Sequence, residues 1–336
     1  MSNRTRNVLV TGADGFIGST LTERLVRRGD KVTALALYNS FDQCGWLDDL
    51  SNLDRSKLTI IRGDVRDAAL IRRIVEGQEI VFHLAALIAI PHSYVASQSY
   101  VETNVMGTLN VLEAARACTV QRMIHTSTSE VYGTALRRPI DESHPLQGQS
   151  PYSASKIGAD MMAEAYARSF ESPVAVLRPF NTFGPRQSER AVIPTIIRQA
   201  LDPACGAIFV GDISTERDFT FVEDAADAFL AIGDANDIEY GRAYNVGTGK
   251  AVTIREIVDL VVGLTDCKKK VVAGQQERLR PAASEVRALL ADCRQFSERT
   301  GWRSKVSLRQ GLGRTVEWWQ DRLQRGVVRR EHAYIT

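Results

Sequence analysis

Asn7-Val-Leu-Val-Thr-Gly-Ala-Asp-Gly-Phe-Ile-Gly18 is the stretch that decides the fold, because it joins three local signals in one short run. A buried apolar strand comes first, a glycine turn follows, and a helix then runs to about Arg28. Gly12, Gly15 and Gly18 have the spacing G-x-x-G-x-x-G. Glycines permit a tight turn and the close approach of a pyrophosphate, whose charge meets the N-terminus of the helix. The stretch therefore predicts a dinucleotide-binding turn.

Strand and helix patterns alternate after this turn. Apolar strands are predicted at 8–11, 31–36, 58–62, 80–84, 122–126 and 174–178, and helices at 18–28, 70–76, 100–117 and 152–169. This order implies a parallel, right-handed, doubly wound sheet that binds ligands at the carboxyl ends of its strands. After Asn181 the rhythm loosens into loops. We therefore predict an α/β protein with a Rossmann-type doubly wound parallel sheet and a smaller C-terminal substrate-binding lobe.

Composition excludes several classes of function. The 336 residues are 44% apolar, which is enough for a large core, and 42 basic residues nearly balance 40 acidic ones. This balance predicts no nucleic-acid partner and no membrane partner, and the apolar run 84–90 is too short to span a bilayer. The five cysteines are scattered without a C-x-x-C pair, and no spacing typical of metal ligands occurs. We expect a cytoplasmic, unprocessed protein with reduced cysteines and no metal.

Two motifs carry chemistry: Thr126-Ser-Thr-Ser-Glu-Val-Tyr-Gly133 and Pro151-Tyr-Ser-Ala-Ser-Lys156. On a helix, Tyr152 and Lys156 lie on the same face. An ammonium beside a phenol is expected to lower the pKa of the tyrosine from its usual value of about 10. Tyr152 would then take the proton from a sugar hydroxyl while a nicotinamide takes the hydride. Glu130 adds a carboxylate that is able to remove a proton from carbon.

Together with further motifs, these residues resemble the extended short-chain dehydrogenase/reductase family, specifically its nucleotide-sugar-modifying members. The resemblance runs from about Asn7 to the helix with Trp318-Trp319. It also rests on Gly63-Asp64-Val65, His83-Leu-Ala-Ala86, Asn104-Val-Met-Gly-Thr-Leu-Asn-Val-Leu112, Arg178-Pro-Phe-Asn181 and Arg217-Asp-Phe219.

The resemblance implies two discontinuous domains and a dimer. Residues 1–180 plus about 219–247 are expected to form the dinucleotide-binding Rossmann domain. Residues 181–218 plus about 248–325 are expected to form the nucleotide-sugar-binding lobe, followed by a tail of residues 326–336. In relatives, helices equivalent to 100–117 and 152–169 form a four-helix interface, so we expect a homodimer.

The resemblance also implies a bound nicotinamide dinucleotide. Its expected contacts are Gly12, Gly15, Phe16, Ile17, Gly18, Asp64, Val65, Leu84, Ala85, Ala86, Tyr152 and Lys156. The second strand has Ala36 where a carboxylate usually accepts hydrogen bonds from the adenosine ribose. That segment also has no arginine before Arg55 to meet a 2′-phosphate. We predict NAD and leave NADP open.

The reaction implied is that of the 4,6-dehydratases. Thr128 would hold the C4 oxygen, Tyr152 with Lys156 would serve the hydride step, and Glu130 would remove the C5 proton once C4 is oxidised. Water would leave from C6 and hydride would return there, giving a 4-keto-6-deoxy sugar nucleotide. Ser129 stands where deoxythymidine-diphosphate-glucose dehydratases have an aspartic acid. Either Glu130 returns its proton to the departing hydroxyl, or Ser129 relays one.

The form Thr-Ser-Glu is similar to that of GDP-mannose dehydratases and of bacterial N-acetylhexosamine 4,6-dehydratases of nonulosonic-acid pathways. It also occurs in UDP-glucuronate decarboxylases, whereas a 4-epimerase would need no glutamate. A nucleotide-sugar-binding regulator without activity is the non-enzymatic alternative. The residues expected to bind the nucleotide-diphosphate sugar are Thr128, Asn181, Arg186, Val192, Arg217 and Arg280. The nucleotide and the hexose stay open.

Overall fold

A computed structural model describes residues 5–50, 53, 55–275, 281 and 284–328. Its strands are β1 (Asn7–Thr11), β2 (Lys31–Leu37), β3 (Leu58–Gly63), β4 (Ile80–His83), β5 (Arg122–Thr126), β6 (Val174–Pro179), β7 (Asn181–Phe183), β8 (Ala207–Phe209), β9 (Glu216–Phe221), β10 (Ala243–Val246), β11 (Ala251–Thr253), β12 (Lys270–Val272) and β13 (Ala288–Leu289). Its α-helices are α1 (Phe16–Arg28), α2 (Ala68–Val75), α3 (Ile90–Ser93), α4 (Ser97–Tyr100), α5 (Gly107–Ala117), α6 (Pro151–Phe170), α7 (Val192–Leu201), α8 (Val222–Asp234), α9 (Ile254–Thr265), α10 (Arg294–Thr300) and α11 (Leu308–Gln324). None of the helices in these ranges is long and apolar enough to cross a bilayer.

A seven-stranded parallel sheet forms the centre of the molecule. Its strand order is β3-β2-β1-β4-β5-β6-β10, and every neighbouring pair is parallel. The order reverses between β1 and β4, because β2 and β3 lie on one side of β1 and the later strands lie on the other. Ligands of such sheets bind outside the carboxyl ends of the strands at this reversal. The predicted Rossmann-type fold is confirmed.

Both faces of the sheet are covered by helices. Val8 and Val10 of β1 pack into one apolar cluster with Leu25 of α1 and Phe229 of α8. Leu9 points to the opposite face and packs with Leu112 of α5 in a second cluster. Successive strand residues point to opposite faces, so a strand buried on both sides is apolar throughout. This explains why β1 appears in the sequence as an unbroken apolar run.

A smaller lobe is built from later segments. Strand β9 pairs with β7, β11 and β13, and β12 pairs with β8. Helices α7, α9 and α11 pack there around a third apolar cluster that includes Ile196, Ile257 and Trp319. Between these segments the chain returns to the large sheet with β10, the neighbour of β6. The predicted domain boundaries stay a prediction.

The helix predicted at 100–117 is interrupted in the structure. Helix α4 ends at Tyr100, a π-helical turn spans Val101–Met106, and α5 begins at Gly107. Asn104 lies in the wider turn, and its side chain is bonded to the main chain of Leu87. Periodicity cannot reveal such a contact, because Leu87 lies on a different element. Single π-turns of this kind are frequent at functional sites.

Two glycines show what the first turn requires. Gly12 has φ +66°, and a Cβ atom there would lie 2.7 Å from the backbone nitrogen of Ala85. A Cβ atom on Gly18 would lie 2.1 Å from the carbonyl oxygen of Gly12. These neighbours are backbone atoms, so no side chain can rotate away to make room. The turn therefore packs directly against the start of α1 and the end of β4.

We predict that Gly18→Ala lowers the free energy of unfolding by about 1–3 kcal/mol, because the new methyl group overpacks the turn. The matched control is Gly263→Ala in α9, where a Cβ atom would meet nothing within 4 Å. That change should be neutral or stabilising by up to about 1 kcal/mol, since alanine is the better helix former. Urea denaturation measures both variants. Equal stability of the two would contradict the close packing described here.

Candidate active site

The first chemical motif begins where β5 ends. Thr128 is the N-cap of a short 3₁₀ helix, Ser129–Tyr132, and its hydroxyl accepts a hydrogen bond of 3.2 Å from the backbone N–H of Glu130. Ser129 is buried, whereas Glu130 is partly exposed. Since β5 is a central strand, this places Thr128 and Glu130 at the carboxyl edge of the sheet.

The second motif opens helix α6. Pro151 is its first residue, and Ser150 and Ser153 form a capping box, so the helix begins at a well-defined place. Tyr152 and Lys156 are only 7% and 4% exposed. The Lys156 Nζ donates a hydrogen bond of 2.6 Å to the carbonyl oxygen of Thr126, at the end of β5. This bond holds the start of α6 against the first motif.

Tyr152 lies between Thr128 and Tyr100. Its hydroxyl shares a hydrogen bond with the Thr128 side chain, and the charge of Glu130 acts on it. Its ring packs edge-on against that of Tyr100, with 6.2 Å between the ring centroids. Four residues predicted to be catalytic, Thr128, Glu130, Tyr152 and Lys156, thus lie around one place, although their roles stay predictions.

The prediction that the pKa of Tyr152 is lowered is wrong for the protein without a ligand. Burial raises the pKa of Tyr152 above its usual value, and the Thr128 hydrogen bond offsets only part of this. Burial also lowers the pKa of Lys156 to about 8, and the charge of Asp160 opposes that shift. Desolvation disfavours the charged form of both groups, which spacing along a helix does not reveal.

Asp160 continues the stripe of Tyr152 and Lys156 one turn further along α6. It is completely buried and accepts hydrogen bonds from Ser127 Oγ at 2.7 Å and from His125 Nε2 at 3.2 Å. Arg178 of β6, also buried, donates to it from Nε at 3.1 Å and from Nη2 at 3.0 Å. Sequence reasoning missed Asp160, although its position four residues after Lys156 was a signal.

The same network reaches the last strand of the sheet. Arg178 Nη1 donates to the hydroxyl of Tyr132 at 3.0 Å, and that hydroxyl donates to Asn245 Oδ1 of β10 at 2.7 Å. Burial raises the pKa of Tyr132 to about 12, so this hydroxyl stays protonated at neutral pH. The network therefore joins α6, β5, β6 and β10 behind the first chemical motif.

His83 is a satisfied core histidine, as its apolar strand predicts. Its Nδ1 is hydrogen-bonded to Thr11 Oγ1 at 2.8 Å and its Nε2 to Thr108 Oγ1 at 3.0 Å. Thr11 Oγ1 also accepts the backbone N–H of Ala85 at 3.2 Å, which fixes the end of β4 beside the glycine turn. In the described ranges, no group of three or more His, Cys, Asp or Glu side chains is arranged to hold a metal ion.

The predicted dinucleotide contacts fall along this edge. Leu84, Ala85 and Ala86 are half-buried beside Gly12, whereas Gly15 is exposed at the N-terminus of α1. Phe16 and Ile17 pack towards the smaller lobe. Asp64 lines a cavity of about 440 Å³ together with Arg66, Asp67, Glu102 and Met106. A hydrogen bond from Arg66 lowers the pKa of Asp64, and the following residue, Val65, is buried.

Beside the end of β2 lies a cation of the neighbouring strand that sequence reasoning missed. Ala36 pairs in register with Arg62 of β3, and Arg62 forms an ion pair with Asp42 in the loop after β2. A parallel sheet places β3 beside β2 although the two positions are far apart in sequence. The segment itself has no arginine, but Arg62 lies beside it on β3 and is paired with a carboxylate, so the expectation of no nearby cation is wrong.

Two of the predicted substrate residues begin or line strands of the smaller lobe. Asn181 begins β7, and its buried Oδ1 has no hydrogen-bond partner within the described part of the chain. Arg217 lies on β9, is nearly buried, and its Nη2 contacts Glu285 at 3.3 Å. A buried acceptor without a partner costs free energy unless a ligand or water satisfies it. Asn181 is thus well placed to contact a ligand.

The remaining substrate predictions are less well placed. Arg186 has φ +72° and its Nη2 forms an ion pair with Glu23 of α1 at 2.9 Å. Val192 is the first residue of α7 and is partly exposed. Arg280 lies outside the described residues. The structure therefore gives Arg186 a partner within the chain, and the binding roles of all three stay predictions.

Known proteins resemble this chain along nearly its whole length. Residues 9–315 match the family model of GDP-mannose 4,6 dehydratase. A UDP-glucose 4-epimerase of Mycolicibacterium smegmatis is 33% identical over 321 residues, which cover 94% of this chain and 99% of that protein. A dTDP-glucose 4,6-dehydratase of Streptomyces antibioticus is 30% identical, with 94% and 92% covered. Among solved structures, the dTDP-glucose 4,6-dehydratase DesIV of Streptomyces venezuelae, with NAD bound, has a TM-score of 0.84 and 30% identity, and the match covers 95% of this chain and 98% of DesIV.

Asn104 ties two parts of this site together. It is fully buried, its Oδ1 accepts the backbone N–H of Leu87 at 2.8 Å, and its Nδ2 donates to the Leu87 carbonyl at 3.0 Å. The same Nδ2 donates to Ser155 Oγ of α6 at 2.9 Å. Asn104 therefore joins the segment after β4 to the helix with Tyr152 and Lys156.

We predict that Asn104→Ala lowers the free energy of unfolding by about 2–3 kcal/mol, because the buried Ser155 hydroxyl and the partly buried main chain of Leu87 lose their partner. The matched control is Asn110→Ala, which loses two bonds to main-chain carbonyls at a more exposed position. There water can replace the amide, so the loss should stay near or below about 1 kcal/mol. Chemical denaturation compares the two, and equal losses would rule out the linking role of Asn104.

Proposed function

Because this chain belongs to the GDP-mannose 4,6-dehydratase family of extended short-chain dehydrogenases/reductases, we propose that it is a nucleotide-sugar 4,6-dehydratase. The observation that carries the proposal is the position of Glu130. The negative charge of its carboxylate raises the pKa of Tyr152, and the Thr128 hydroxyl is hydrogen-bonded both to the backbone N–H of Glu130 and to Tyr152. Transfer of a hydride from C4 and back requires the tyrosine, the lysine and a hydroxyl. A carboxylate in the same place is suited to removing a proton from the neighbouring carbon.

The residues around the glycine turn fit NAD, the cofactor we propose. Gly12 leaves a cradle against Ala85 that any Cβ atom would fill. The N-cap of α1 is Gly15, which has no side chain to cap the helix, so the N-terminal N–H groups are open to a pyrophosphate. When bound, NAD supplies a hydride acceptor for C4 and a hydride donor for C6. The residues that would hold it are Gly12, Gly15, Phe16, Ile17, Gly18, Asp64, Val65, Leu84, Ala85, Ala86, Tyr152 and Lys156.

Tyr152 and Thr128 serve the first half of the proposed reaction. Thr128 orients the C4 hydroxyl, and the Tyr152 oxygen takes the proton of that hydroxyl. Because burial disfavours the phenolate, the step needs positive charge close to Tyr152. Lys156 supplies this charge while it is protonated, which a pKa of about 8 permits at neutral pH.

Glu130 serves the second half. A carbonyl at C4 makes the C5 hydrogen acidic, and Glu130 takes that hydrogen as a proton. The C6 hydroxyl then leaves as water with the proton that Glu130 holds, and a double bond forms between C5 and C6. Ser129 is buried beside Glu130, and a hydroxyl near its usual pKa is a poor acid. We therefore assign the return of the proton to Glu130.

A 4-epimerase is the second candidate, since the epimerase of Mycolicibacterium smegmatis is similar along nearly the whole chain. An epimerase would use Tyr152, Lys156 and Thr128 but would leave Glu130 without a chemical role. A decarboxylase would need a cation facing the C6 carboxylate. Two of the arginines predicted to bind the substrate, Arg186 and Arg217, already contact Glu23 and Glu285. Both observations favour the dehydratase.

We predict that incubation with a panel of nucleotide hexoses, hexosamines and uronates yields a product lighter by one water. Mass spectrometry separates this outcome from loss of carbon dioxide and from no change of mass. In Glu130→Gln, water loss should fall by about two orders of magnitude or more, because the base is removed. The amide keeps the size of the side chain, so substrate binding should persist.

The control for that variant is Glu142→Gln, a partly buried glutamate whose carboxylate accepts the backbone N–H of Asn245 and not a hydrogen bond from Thr128, Tyr152 or Lys156 among those of the described structure. It should keep near wild-type turnover, because an amide oxygen can accept the same hydrogen bond. The dehydratase proposal fails if every substrate that reacts keeps its mass. The role of Glu130 fails if the Gln variant still releases water at close to the wild-type rate.

We also propose a homodimer that pairs α5 and α6 with their copies. Val101, Met106 and Met161 are apolar side chains on or beside these helices, and each is about half exposed. Apolar side chains on adjacent helices are suited to a four-helix interface with twofold symmetry. Light scattering at micromolar concentration should give twice the mass of the chain, and a monomer there would refute this proposal.

A further inference from the structure

We infer that Asp160 is a positioning residue of the proposed reaction, which keeps Lys156 in its charged form and anchors the segment that carries Thr128 and Glu130. The inference rests on the proposed function for its chemical meaning. Asp160 lies outside the two motifs that carry the chemistry, and its carboxylate contacts neither Tyr152 nor Glu130 by any hydrogen bond that the described structure contains.

Asp160 lies on the same face of α6 as Tyr152 and Lys156. Tyr152, Lys156 and Asp160 are spaced four residues apart on one helix, so they form a single stripe. All three are buried, and Asp160 is completely so. The helix therefore carries an acid, a cation and a phenol in a row that water does not screen.

Asp160 also holds Ser127 in place through a hydrogen bond. This residue follows β5 and precedes Thr128; its backbone N–H donates to the Leu177 carbonyl at 2.7 Å, and its hydroxyl donates to Asp160 at 2.7 Å. Ser127 is thus held on both its main chain and its side chain. Because Thr128 and Glu130 follow at once, the position of Asp160 helps to set theirs.

The buried neighbours of Lys156 differ in whether they carry a charge. His83 of β4 and His125 of β5 are fully buried, and burial lowers the pKa of both, so they are neutral at neutral pH. Arg178 of β6 is bonded to Asp160. Among these neighbours, Asp160 is a charged group that favours the ammonium of Lys156 against the cost of its burial.

The charge of Asp160 acts on Tyr152 as well as on Lys156. Its negative charge raises the pKa of Tyr152, and this is the least of the named causes there. Lys156 lies between the two on the stripe. Asp160 thus favours the proposed reaction through the charge on Lys156, and its removal should change how turnover depends on pH.

The decisive experiment titrates Lys156 by NMR in protein with isotope-labelled lysine, the signal being assigned by its absence in Lys156→Met. Asp160→Asn keeps the shape and an acceptor for Ser127 but removes the charge. We expect the apparent pKa of Lys156 to fall by at least about one unit below its wild-type value. The matched control is Ser127→Ala, which removes the hydrogen bond and keeps the charge, and it should leave the titration unchanged.

Activity adds a readout that a purely structural role would not produce. A lower pKa of Lys156 means that the ammonium is lost at lower pH, so turnover of Asp160→Asn should be depressed more at pH 8 than at pH 6. The KM for the sugar nucleotide should change by less than about threefold, since Asp160 does not contact it. Asp160→Glu restores the charge and should recover most of the turnover and the titration of Lys156.

If Asp160→Asn does not fold, the double variant Asp160→Asn/Arg178→Met removes both buried charges and leaves neither unpaired. A fall in the pKa of Lys156 is expected there too, but a smaller one, because loss of the Arg178 cation acts in the other direction. An unchanged titration of Lys156 in the folded variant overturns the inference, as does an equal change in Ser127→Ala. The titration needs no substrate, so its failure is distinct from failure of the dehydratase proposal.

Discussion

The buried pair of Asp160 and Arg178 is the interaction on which the rest of the site depends. Two charges taken out of water are costly, and their attraction offsets this only when further hydrogen bonds satisfy the remaining atoms. Here Ser127 and His125 donate further hydrogen bonds to the Asp160 carboxylate, and the Tyr132 hydroxyl accepts one from the Arg178 guanidinium. Each partner lies on a different element, so the pair holds helix and strands in one arrangement. Ser127 belongs to the first chemical motif, so this bond anchors the start of that motif.

Sheet geometry then brings the parts of the site together. The glycine turn follows β1, the Leu84–Ala86 segment follows β4 and the motif with Glu130 follows β5, three adjacent parallel strands. Because all three point the same way, their carboxyl ends meet at one edge. Thr11 bonded to Ala85, and Asn104 bonded to Leu87 and Ser155, fix the distances along that edge. The residues proposed to bind the cofactor and the proposed acid and base are held by the same framework.

Where sequence reasoning failed, the cause was a contact between elements. The pattern of β2 shows only Ala36, whereas Arg62 lies beside it on the neighbouring strand. The spacing of Tyr152 and Lys156 predicts a lowered pKa of the tyrosine, whereas burial raises it. The apolar pattern predicts a continuous helix at 100–117, whereas Asn104 bonds to a loop and lies in a π-turn. The pattern of residues within one element does not show which residues of other elements contact it.

The sequence by itself determined the doubly wound fold, the dinucleotide turn and the spacing of Tyr152 and Lys156. These depend on short-range rules: the period of apolar residues, the conformational freedom of glycine and the pitch of a helix. Only the tertiary structure decided how charged the site is and what orients it. Burial sets the free energy of every charge, and burial is a property of the assembled protein. Asp160 shows this, since its spacing was visible in the sequence but its role depends on Ser127, Arg178 and Lys156 around it.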